Sequence, residues 1–84
     1  MPRDLPAWRD EFARRTPRLD PALAHVLAGL LANEVSPIDL LFNVHDWLKD
    51  AETQFTESGR DAGDLYVART IISREAALRQ ARAR

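Results

Sequence analysis

The chain contains no cysteine. That excludes a disulfide framework, a thiol nucleophile and any zinc site built on thiolates. Lysine is nearly missing as well: eleven of the twelve basic side chains are arginine. Long apolar runs are absent. The longest stretch without a charged residue, Pro21–Asn33, contains His25 and is too short to span a bilayer. The opening MPRDLPAWRDEF has no apolar segment of signal-peptide length, so a soluble, cytoplasmic protein is expected. No alternating run of β-branched residues extends beyond three or four positions, which argues against strands. No repeat of solenoid length is present either.

What remains is 84 residues, 45% apolar and 30% charged, ordinary values for one small globular domain spanning 1–84. A chain of this size buries about 60% of the surface it exposes when unfolded. Its net stability is expected at roughly 4–12 kcal/mol.

The net charge of −1 conceals an uneven distribution. Residues 1–19 carry five arginines against three acids, residues 20–64 carry Lys49 and Arg60 against nine acids, and residues 65–84 carry five arginines against Glu75 alone. Basic ends beside an acidic centre suit helices that neutralise one another in a bundle. They also suit a protein with nucleic-acid-binding ends.

Helix starts and stops are well marked. Asp20-Pro21 and Ser36-Pro37 each set a side-chain acceptor at an N-cap and a proline in the first turn, where its missing N–H costs nothing. Ser36 with Asp39, and Asp61 with Asp64, resemble capping boxes. Gly59 is a natural stop, since a helix C-terminus often requires positive φ. These signals predict helices near 6–15, 21–34, 37–57 and 62–82, with fraying after about Leu78. The expected fold is therefore all-α, a small helical bundle of about four helices. A short first helix and an apolar second helix precede a long antiparallel hairpin of the third and fourth.

On a helical wheel the third helix has a broad apolar stripe of Leu40, Leu41, Val44, Trp47, Leu48, Ala51 and Phe55, expected to be core. The fourth offers Leu65, Ala68, Ile72 and Ala76, with a second stripe of Val67, Ile71 and Leu78. Glu75 precedes Arg79 by four residues, which predicts an intrahelical ion pair. The second helix has almost no polar side. It is expected to be buried all round, and Ala24, Ala28 and Ala32 form a small-residue face where a second copy of the chain would complete the bundle as a homodimer.

Catalytic and metal-ligating patterns do not emerge. His45 and Asp46 are adjacent and so point about 100° apart on a helix, and the residue one turn beyond His45 is Lys49. No cofactor is implied. ANEVSPIDLL has the rhythm of a helix-turn-helix, yet the third helix presents Asp39, Asn43, Asp46 and Asp50, which phosphates repel. The expectation is a non-enzymatic protein–protein interaction module, an adaptor, inhibitor or assembly factor. Its partner would bind the Ile38–Phe42 patch with His45 and Lys49 at the rim. The alternative is a nucleic-acid accessory protein using Arg69, Arg74, Arg79 and Arg82, with Arg84 beyond them.

Overall fold

The computed structural model describes residues 3–83. It contains α1 (Leu5–Arg15), α2 (Pro21–Ala32), α3 (Ile38–Glu57) and α4 (Gly63–Arg82), and no strand among the described residues. The chain is an all-α bundle of four helices. Two helical hairpins, α1–α2 and α3–α4, lie together, with α1 also touching α4. The molecule measures 41 × 24 × 15 Å with a radius of gyration of 12.7 Å. That is a little above the roughly 12 Å of a spherical domain of this length. A flattened body leaves more helix surface open than a sphere does.

Local chemistry accounts for most of the boundaries. Asp4 caps α1 by accepting from Ala7 N–H, and Asp20 caps α2 by accepting from Ala22 and Leu23 N–H. Gly59 has φ +77°, the left-handed conformation that ends α3. Ser36 departs from its expected role. Its hydroxyl donates to the Leu30 carbonyl at 2.9 Å, and α3 begins at Ile38 without a side-chain cap. Asp61 accepts from Gly63 N–H at 2.9 Å from two residues before α4, whose N-cap is Ala62. The α2 helix stops at Ala32, two residues short of the expected Glu34, and α4 runs on to Arg82 instead of fraying after Leu78. Terminal fraying at Met1, Pro2 and Arg84 falls outside the described residues.

The core joins Trp8 and Phe12 of α1, Leu27, Ala28 and Leu31 of α2, Leu41 and Leu48 of α3, and Leu65, Ala68, Ile71, Ile72 and Ala76 of α4. Two polar ties hold the hairpins in register. At one end, Arg18 in the α1–α2 loop donates its backbone N–H to Asp64 and its guanidinium to Asp61. At the other, Arg79 donates to the carbonyls of Leu31 (2.5 Å) and Asn33 (3.1 Å). The α2 C-terminus has no basic residue of its own, and α4 supplies the cation its orphan carbonyls need.

Two expectations about burial are corrected. The α2 helix is not buried all round: Ala22, His25, Val26 and Gly29 form an open side, with Val26 63% exposed. Two hairpins laid together cover only the inward halves of their helices. For the same reason the apolar stripe of α3 is wider than its covered face, and Leu40 and Trp47 lie outside the core.

Candidate interaction surface

On α3, Leu41 and Leu48 mark the centre of the buried face. Flanking it on one side are Ile38, Phe42, His45 and Glu52, all half-buried. Arg69 reaches across from α4, donating to Glu52 at 2.5 Å and lying 3.4 Å from His45 Nε2. His45 Nδ1 meets Asp46 at 3.1 Å. Phe42 packs on the core, so the Ile38–Phe42 patch expected on the wet side is partly covered, with only Lys49 of that group exposed. The hairpin partner α4 runs along this edge: Arg69 reaches Glu52 and His45, and Ile38 shares a groove with Arg79 and Arg82 at the far end of α4.

The opposite flank of α3 carries the open apolar surface. Trp47 is 57% exposed and Leu40 is 42% exposed. With half-buried Val44 and Ala51 they follow a 4-3-4 spacing, so all four lie on one line along the helix. The line spans about 16 Å, three helical turns. Next to it, one step round the helix, run Asp39, Asp46, Asp50 and Glu57, all exposed. Among the described residues no basic side chain lies within ion-pair distance of Asp39, Asp50 or Glu57. Asp10 and Glu34 share this lack of a partner, whereas the three half-buried glutamates are all paired. Glu11 pairs with Arg3, Arg14 and Arg15, Glu52 with Arg69, and Glu75 with Arg79 and Arg82. Burial of Glu11 pushes its pKa up, but hydrogen bonds and charge from Arg3 and Arg15 outweigh this and hold it below the ordinary carboxylate range.

The alanine face of α2 points inward. Ala28 is 0% exposed and Ala24 and Ala32 are half-buried, so Ala28 has no surface to offer a second copy. The arginines of α4 are divided in role. Arg79 is 7% exposed and serves as a structural cap, which removes it from any nucleic-acid face. Arg69 is engaged by Glu52 across the hairpin. Arg74 and Arg82 remain exposed and line a cleft of about 240 Å³ with Arg3, Trp8, Glu11 and Glu75. Of the three carboxylates that line it, Glu11 and Glu75 already bind guanidinium groups, and Glu34 has no ion-pair partner among the described residues. Arg84 falls outside the described residues.

Sequence reasoning missed Trp47 and Leu40 as surface residues. A wheel shows that they sit at the edge of the stripe, but not where the neighbouring helix stops covering it. No group of three or more metal-ligating side chains comes together among the described residues, and none of their helices is long and apolar enough to cross a membrane. Comparison with protein-family models, curated proteins and solved structures finds no match to this chain.

Proposed function

We propose that the chain is a small non-enzymatic protein–protein interaction module, an adaptor, inhibitor or assembly factor, whose partner docks on the outer face of α3. The observation that carries this reading is the aligned exposure of Trp47 and Leu40. A large aromatic ring left half in water loses most of the hydrophobic stabilisation available to it. Tryptophan is also the side chain most enriched among residues that dominate binding energy. Site-specific photocrosslinking tests the proposal in the native cell. A crosslinker that keeps a large aromatic group at position 47, a benzophenone-bearing phenylalanine, should trap a discrete protein adduct, and the same group at exposed Asp10 on α1 should not. Equal labelling from both positions, or none from 47, would overturn the reading.

A second surface favours self-association. The open side of α2, with Val26 63% exposed and no ionisable group other than His25, is the face through which a homodimer would form. Light scattering on wild type and Val26→Glu separates the two cases. A dimer that the substitution converts to a 9.5 kDa monomer supports self-association. A wild-type monomer at all concentrations removes it.

A further inference from the structure

We infer that the occupant of the α3 outer face is an amphipathic helix of another protein, with Lys or Arg along the flank of its apolar seam; this rests on the reading of that face as a docking surface. Three observations converge on it. Leu40, Val44, Trp47 and Ala51 have the 4-3-4 spacing with which one helix receives the side chains of another lying along it. The seam is three turns long, so a partner helix of about a dozen residues covers it. The row beside the seam carries Asp39, Asp46, Asp50 and Glu57, with the neutral Asn43 and Thr53 between them and no basic residue. Asp39, Asp50 and Glu57 have no basic neighbour within ion-pair distance among the described residues, while Glu11, Glu52 and Glu75 each have one. These acids sit where the flanking positions of a docked helix would fall, so a basic flank is the complementary one.

A second copy fits this face poorly. An antiparallel pairing of two α3 helices about a two-fold axis sets both acidic rows on the same side, like charge against like. Phosphate-bearing partners are disfavoured by the same charges.

The test uses the full chain and a displayed library of helices about three heptads long, with Leu at the inward positions and every flanking position drawn from Lys, Glu or Gln. Enriched helices should carry an excess of Lys at the flanks and lose binding to Trp47→Ala. They should bind Asp39→Lys/Asp50→Lys at least about tenfold more weakly, the loss expected for a few exposed charge pairs turned repulsive. Circular dichroism on both variants confirms that the fold is kept. Helices that require Trp47 but carry neutral or acidic flanks, or that bind the charge-reversed variant equally well, overturn the basic-helix inference and leave the docking surface standing. The same holds for a wild-type dimer that Trp47→Glu dissolves, since a second copy then occupies the face. Enriched helices indifferent to Trp47→Ala, or no enrichment, overturn both.

Discussion

Arg79 of α4 donates to the carbonyl of Leu31 at 2.5 Å, closing the C-terminus of α2 from across the bundle. Arg79 is 7% exposed, and its guanidinium also reaches Asn33 O and Glu75. Removing it would strand two carbonyls at a covered helix end and leave Glu75 with only the more exposed Arg82. Arg79→Met is expected to cost about 2–3 kcal/mol in urea denaturation, because unmet buried acceptors each cost about 1–3 kcal/mol. Arg79→Lys is expected to recover only part of this, since a single ammonium cannot reproduce the planar fork. A loss below about 0.5 kcal/mol for Arg79→Met would mean that the α2 end is closed by water instead.

Phe42 and Trp47 should separate in their contributions to stability. Phe42 is packed on the core, and Phe42→Ala is expected to cost about 2 kcal/mol, part of the 3–5 kcal/mol of a fully buried phenylalanine. Trp47→Ala removes a ring that is mostly in water and is expected to cost about 1 kcal/mol or less. Chemical denaturation of both variants checks the order. A reversed order would place Trp47 in the core and Phe42 at the surface.

The acid limb of the stability profile carries a signature of Glu11. Its folded-state pKa lies below the unfolded one, because Arg3 and Arg15 outweigh the opposing effect of burial. Its contribution is therefore present above the ordinary Glu value of about 4.3 and is lost as pH falls through that value and below. Glu11→Gln should be less stable than wild type at neutral pH, with the difference closing toward about pH 3. Denaturation at the two pH values measures it. A difference that grows on acidification would contradict the sign.

Two glycines should respond in opposite directions. Gly59 holds φ +77°, so Gly59→Ala is expected to cost about 1 kcal/mol, although a Cβ there meets nothing within 4 Å. Gly29 lies mid-helix in α2, where a Cβ also meets nothing within 4 Å. Gly29→Ala is expected to add roughly 0.5–1 kcal/mol through helix propensity. Thermal melts on the two variants should shift in opposite senses, and a shared direction would contradict the backbone assignment at one of them.

The features legible in the sequence are those written in local chemistry. Asp20-Pro21 and Gly59 set helix ends that the structure retains, and Leu41, Leu48, Ile72 and Ala76 follow helical spacing into the core. Non-local events were not legible. Ser36 has the composition of a cap, yet the Leu30 carbonyl, six residues back, captures its hydroxyl once the turn is made. Arg79 reads as one surface arginine among several, and its burial depends on where α2 ends in space. The wheel sets Leu41 and Leu48 in the α3 stripe correctly, but which edge of the stripe is covered depends on where the neighbouring helices lie. Ile38 and Phe42 are therefore drawn toward α4 while Leu40 and Trp47 are left outside.

The outer face of α3 is tested most directly by the affinity between this chain and the protein trapped from position 47, measured for wild type and for Trp47→Ala of verified fold. Loss of a binding residue of this kind costs about 2 kcal/mol, so the Kd should rise about thirtyfold or more. A Kd within about threefold of wild type, less than 1 kcal/mol, would show that the partner is held elsewhere on the molecule.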